Sequence, residues 1–214
     1  MRTRTTSTIR TTCAELALAL LLGVAGVAWG AAGDAPRAVV QHLADQVLIV
    51  LRDKQATSDA KLSRIEKLVY ACVDFETLSR LVLARNWGGF TPEQQARFET
   101  EFKRHLSVTY GKSIDSYRNE QVEITGDREE ARGDWTVKTK ILRGGGSDDV
   151  LVDYRLRQSG GDWKIIDFVV EGVSLVANFR SQFQDLLASK SPDELIALIH
   201  EKNEKGEAFE KPKT

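Results

Sequence analysis

Few residues in this chain have the type and spacing that chemistry requires. Asp167 is an acid inside an apolar run, Ile165-Ile166-Asp167-Phe168-Val169-Val170. It could serve as a pocket acid, but no second polar group in the sequence is placed to work with it. A satisfied structural hydrogen bond is the plainer reading. Ser174 stands in Gly172-Val173-Ser174-Leu175, which lacks the second glycine of a nucleophile elbow and fits a helix N-cap. His42, His105 and His200 fall on three separate helical stretches, without the two-histidine helical spacing of a zinc site. There is no Walker loop. Gly144-Gly145-Gly146 lies between two strand patterns, where it reads as a hairpin rather than a phosphate cradle. The residues therefore predict no catalytic set and no metal site, and favour a binder over an enzyme.

One row of residues points to binding. Phe98, Phe102, Leu106 and Tyr110 recur every fourth position. That spacing fits the core face of a helix, the plainer reading, or the wall of a ligand cavity.

The elements that must position these residues can be read in order. Apolar spacing predicts helices over 36–51, 61–70 and 75–84. Thr91-Pro92-Glu93-Gln94 forms a capping box that opens the aromatic helix. Strand patterns then take over. A weak one spans 121–125 and ends at a Gly126-Asp127 turn. Two alternating ones follow around Trp135–Ile141 and Val150–Leu156, and a more apolar one covers 163–170. Short glycine-bearing connections imply an antiparallel meander of about four strands. Two helices close the chain, at 175–188 and after the capping box Ser191-Pro192-Asp193-Glu194. The fold class is α+β, with a twisted antiparallel sheet packed against several helices. From residue 204 the sequence is polar and reads as a disordered tail to residue 214.

Composition excludes several classes of function. The 214 residues carry 30 basic and 31 acidic side chains, so no basic surplus marks a nucleic-acid partner. The first thirty residues read as a cleavable signal peptide. Arg2, Arg4 and Arg10 precede an apolar run from Leu16 to Val27, followed by the small residues Ala28, Gly30, Ala31 and Ala32. The run is shorter than the roughly 20 residues of a membrane span. Cleavage after Gly30 removes Cys13 and leaves Cys72 alone in an apolar stretch, where a buried, inert thiol is expected. The domain proper then covers residues 31–203.

Two stretches carry a family resemblance: FETLSRLVLARNWGGFTPEQQARFETEFKRHLSVTY at 75–110 and WKIIDFVVEGVSLVANFRSQF at 163–183. With the strands between them they resemble the MlaC family, also known as toluene-tolerance or auxiliary ABC-transport periplasmic proteins. The resemblance runs from about residue 36 to 203. Glu171-Gly172-Val173-Ser174-Leu175, with Asn178, Arg180, Ser181, Gln182 and Phe183, is its most specific part. Ala84 departs from the pattern, which has glycine before the basic residue, here Arg85.

The resemblance implies a periplasmic phospholipid carrier of Gram-negative bacteria, working between an outer-membrane lipoprotein complex and an inner-membrane ABC transporter. Such transport maintains outer-membrane lipid asymmetry. The implied fold is cone-like, with an internal lipid cavity between sheet and helices. Phospholipid would be its cargo, with no cofactor. The apolar sheet face (Val137, Ile141, Val152, Tyr154, Phe168, Val170) and the aromatic helix face (Phe98, Phe102, Leu106, Tyr110) would line that slot, with Val173 and Val176 near its mouth. The rivals are a carrier of another lipid, such as a hopanoid, an exported cone-fold enzyme using Asp167, and a purely structural adaptor with an ordinary filled core.

Overall fold

A computed structural model describes residues 34–209, except 112, 113, 115, 116, 118 and 144–147. The expected signal peptide (1–30) and the Gly144–Gly146 hairpin lie outside the described residues. Four helices come first: α1 (Asp34–Arg52), α2 (Ser58–Cys72), α3 (Phe75–Leu83) and α4 (Pro92–Gly111). Five strands follow: β1 (Gln121–Glu129), β2 (Trp135–Leu142), β3 (Val150–Ser159), β4 (Asp162–Val170) and β5 (Val173–Ser174). Helices α5 (Leu175–Leu187) and α6 (Pro192–Lys205) close the chain. This is the α+β class read from the sequence. The sheet is an antiparallel meander in the order β1-β2-β3-β4-β5, one short strand longer than predicted.

Helix starts follow the expected local chemistry. Gln94 N–H donates to Thr91 Oγ1 at 3.2 Å, and Thr91 N–H donates to Gln94 Oε1 at 3.0 Å. Ser191 and Glu194 make the same reciprocal pair. Thr57 and Asp74 cap α2 and α3. Cys72, expected to be buried, is half-buried: its thiol donates to Leu68 O at 3.2 Å, and desolvation pushes its pKa up to about 11.

The core joins two layers. On the sheet, Val137, Val152, Leu156 and Ile165 turn inward, while Glu123, Leu151 and Arg155 face water. Beside them, Phe98, Phe102, Phe179 and Phe183 from α4 and α5 interlock, with ring centroids 5.0–5.7 Å apart. A buried polar link ties α4 to α6. His105 Nδ1 is 2.9 Å from Asn203 Oδ1, and the Asn203 amide donates to Glu101 O at 3.0 Å. Burial holds the His105 imidazole below its ordinary pKa, so the neutral ring is the form that fits.

Two predicted boundaries are corrected. The Gly126-Asp127 turn does not end β1. The strand shifts register between Ile124 and Gly126 and runs on to Glu129. A bulge absorbs the irregularity that the sequence displays as a turn signal. The chain reverses instead at Arg132 and Gly133, both with positive φ (68° and 77°). The tail is also more ordered than its composition suggests. Helix α6 continues to Lys205, Gly206 caps it with φ 66°, and Phe209 packs on His105 (4.8 Å) and Phe183 (5.4 Å). Residues 204–209 are therefore part of the fold, and residues 210–214 lie outside the described residues. Truncating Phe209 to alanine is expected to lower the unfolding free energy by about 1–2 kcal/mol, below the 3–5 kcal/mol of a fully buried ring. An unchanged denaturant midpoint would show that the tail does not dock.

Ala84 gives the clearest backbone strain. It ends α3 with φ 49° and ψ −121°, a region that suits glycine and penalises a Cβ. Relief of strain, less the extra entropy of an unfolded glycine, predicts that Ala84→Gly stabilises by about 1 kcal/mol. In a chain this long the melting temperature should rise by about 2–4 °C. A lower melting temperature would contradict the strain.

Candidate functional site

Helix α2 has an unusual burden. It carries Leu62, Ile65, Leu68 and Val69 at helical spacing, yet none of its residues is fully buried. Much of its apolar side faces a cavity of about 290 Å³. Leu62, Ile65, Val69 and Tyr70 of α2 form one wall; Leu106, Ser107 and Tyr110 of α4 form the other. Phe168 and Val170 of β4 supply the floor, and Val73, Phe75 and Leu78 close the end where α2 turns into α3. At the opposite end α2 comes very close to α4: a Cβ on Gly111 would stand 3.0 Å from the Leu62 side chain. Glycine permits that approach. Ile114 completes this end.

Polar groups on the wall are few. Glu66 is its carboxylate and Lys103 its ammonium. Lys103 Nζ lies 3.7 Å above the Tyr70 ring and 5.1 Å from the Phe75 ring centroid. The Tyr70 and Ser107 hydroxyls share a hydrogen bond of 2.9 Å. Burial raises both the Tyr70 and the Tyr110 phenol pKa, so both are neutral donors near neutral pH. Among the described residues the wall has no nucleophile–base pair. Among the described residues no cluster of three His, Cys, Asp or Glu side chains could hold a metal. The cavity can hold a hydrocarbon chain.

The structure brings four of the expected lining residues to this cavity: Leu106, Tyr110, Phe168 and Val170. The other eight lie elsewhere. Phe98 and Phe102 are fully buried in the aromatic core. Val137, Val152 and Val176 are buried in the fold. Tyr154 stands edge-on to Phe168 at 5.5 Å on the neighbouring strand, and Ile141 pairs with Val150 and Val122 across the sheet. Val173 is 62% exposed beside Val170, itself 44% exposed. The residues that reasoning from the sequence missed are chiefly those of α2, with Val73, Phe75 and Leu78 beyond its end and Lys103, Ser107 and Ile114 on the opposite side. The signal of α2 was present: an apolar face on a helix with no aromatic side chain except Tyr70.

Helix geometry explains the split along α4. Each residue turns the helix by about 100°, so a step of four overshoots a full turn by about 40°. From Phe98 to Tyr110 the row rotates by about 120°, leaving the core at one end and facing the cavity at the other.

Asp167 is 1% exposed and does not line the cavity. Its Oδ2 accepts from the Ser174 hydroxyl at 2.6 Å, and its Oδ1 accepts from Val176 N–H at 3.0 Å. Ser174 Oγ in turn accepts from Ala177 N–H at 3.0 Å. Acid and hydroxyl together satisfy the first turn of α5. The Glu171-Gly172 motif acts just before this cap. Both residues take positive φ (50° and 79°) in the hairpin between β4 and β5. The Glu171 carboxylate accepts from Leu151 N–H at 2.5 Å, fastening that hairpin to β3. The motif read from the sequence is thus a turn, a fastening and a helix cap beside the cavity floor.

Comparison with known proteins agrees with this construction. The chain is 26% identical over 167 residues to the toluene tolerance protein ttg2D of Pseudomonas putida, covering 76% of this chain and 77% of that one. It is 20% identical over 177 residues to the intermembrane phospholipid transport system binding protein MlaC of Haemophilus influenzae, covering 79% and 83%. Among solved structures it matches the phospholipid-binding protein of Ralstonia solanacearum in complex with a phospholipid. There the TM-score is 0.72 and the identity 26%, over 80% of this chain and 98% of that one. Residues 41–201 match the model of the MlaC protein family, to which this chain belongs.

Proposed function

We propose that this protein is a periplasmic phospholipid carrier, exported by a cleaved signal peptide, that shuttles lipid between an outer-membrane lipoprotein complex and an inner-membrane ABC transporter. It catalyses no reaction, needs no cofactor, and contributes to outer-membrane lipid asymmetry. The observation that carries this reading is the cavity between α2 and α4, whose wall is almost entirely hydrocarbon. Relatives in P. putida and H. influenzae and the lipid-bound neighbour from R. solanacearum support it.

The energetics suit a carrier. Exposing a lipid tail to water costs about 0.8 kcal/mol per methylene, so a long tail costs on the order of 10 kcal/mol. A shuttle must cover that surface and still release it. Cover by hydrocarbon side chains nearly equals cover by a bilayer, so the transfer is close to balanced. The 290 Å³ cavity falls just below the roughly 300–1,000 Å³ of ligand pockets. Two tails need more room. Helix α2 is the wall best able to yield, because it buries no side chain fully.

The test is direct. Protein purified from the periplasm without detergent is extracted with organic solvent and the extract identified by mass spectrometry. Diacyl phospholipid near stoichiometric amount is the expected result. A hopanoid would reassign the cargo, and an extract empty of lipid, from protein that also takes none from vesicles, would overturn the carrier.

A further inference from the structure

Among the described residues Lys103 is the one ammonium on a mostly hydrocarbon wall, and it is left without an acceptor. It is half-buried on α4, and among the described residues it makes no hydrogen bond and no ion pair. Its neighbours are ring faces, with Tyr70 at 3.7 Å and Phe75 at 5.1 Å. Glu99, one turn earlier on α4, feels the ammonium electrostatically, and Glu66 is felt by the Tyr70 hydroxyl. Neither carboxylate forms an ion pair with Lys103. Tyr70 and Ser107 add a hydroxyl pair at 2.9 Å. Two hydroxyls carry two hydrogens and their mutual bond uses one, so one O–H stays free to donate. Three ammonium N–H groups and one O–H therefore collect on one side of the cavity. An ammonium is costly to hold against apolar surface unless an anion answers it.

We propose that Lys103, with the Tyr70–Ser107 hydroxyl pair, receives the anionic oxygen of an amphiphile whose tail occupies the cavity. This rests on the carrier reading and deepens it by assigning the head-group chemistry: a negative charge, from a phosphate or a carboxylate, at the head end of the lipid. The hydroxyl pair supplies a neutral hydrogen bond to the same oxygen, and the Tyr70 ring holds the empty ammonium in place by cation–π attraction. A neutral head gains only the hydroxyl bond, and a cationic head meets repulsion.

The experiment uses the full mature chain, stripped of lipid, and ten-carbon amphiphiles that differ only in their heads: decyl phosphate, decanoate, decanol and decyltrimethylammonium. Binding is measured by calorimetry. Wild-type protein should hold the two anions about ten- to a hundredfold tighter than decanol, the worth of a charge-assisted hydrogen bond. Lys103→Met keeps the length of the side chain and should erase that preference, the anions falling to the affinity of decanol within the same variant. Lys103→Arg should retain it. In wild type, about 0.5 M salt should shrink the anion preference and not the decanol affinity, a readout that needs no variant. Stronger binding of decyl phosphate identifies the head as a phospholipid phosphate; stronger binding of decanoate identifies a fatty-acid carboxylate. Equal affinity for all four heads, or equal loss for all four in Lys103→Met, overturns the proposal and leaves the carrier intact. If decanol and the anions alike fail to bind, the carrier reading falls with it.

Discussion

Phe102→Ala is expected to lower the unfolding free energy by about 3–5 kcal/mol, the cost of deleting a fully buried aromatic ring. Phe102 is the hub of the helical core. It stacks with Phe98 at 5.5 Å and meets Phe179 and Phe183 edge-on at 5.0 and 5.7 Å. Those contacts join α4 to α5 and leave the truncated site no neighbour free to collapse into it. In a chain of this length the melting temperature should fall by roughly 6–20 °C. The surviving folded protein should carry its usual lipid, because Phe102 does not reach the cavity. A melting temperature within about 2 °C of wild type, or a selective loss of lipid from stable protein, would show that Phe102 belongs to the cavity wall after all.

Most of the fold was legible because its signals are local. Capping boxes at Thr91 and Ser191, and the alternation in β2 and β3, are each written within a few residues. The errors arose where tertiary contacts overrule local chemistry. Gly126-Asp127 looks like a turn, but pairing with Lys138 and Val137 carries the strand through it. The segment after Glu204 looks unable to bury anything, but a single ring, Phe209, is enough to dock it. In the sequence Ala84 stands out only as a departure from the family pattern. Its positive φ shows why glycine would be the easier residue there.

The site was less legible than the fold. A period of four along α4 marks a stripe, but the drift of the helix assigns half of it to the core and half to the cavity, and composition does not mark the division. The inward face of the sheet raised the same difficulty. Val137 and Val152 alternate just as Phe168 and Val170 do, yet only the latter pair lies under the gap between α2 and α4. A cavity is defined by which neighbours stand apart, and spacing along one strand carries no record of that. Asp167 is the converse case. An acid inside an apolar strand draws notice in the sequence, and its hydrogen-bond partners turn out to be a serine and a backbone amide that build a helix start, with the Arg155 guanidinium 3.7 Å away.

Leu106→Trp, one turn beyond Phe102, should have the opposite consequence. Leu106 is half-buried and its side chain looks into the cavity. An indole there enters open space of about 290 Å³ and not packed core, so the melting temperature should stay near that of wild type. The ring takes up volume meant for lipid. If it displaces about two methylenes of tail, some 1.6 kcal/mol of burial is lost, which is about tenfold in lipid affinity. Bound lipid per protein and the rate of transfer from vesicles should fall accordingly. Val137→Trp makes the control, because Val137 lies in close-packed core, where overpacking costs about 1–3 kcal/mol or more. That variant should melt early, with whatever remains folded still carrying lipid. The contrast is decisive because the same indole is placed on two residues that looked equally suited to line a slot. If Leu106→Trp instead loses stability and keeps its lipid, the space between α2 and α4 is not where the tails go, and the carrier would need another chamber.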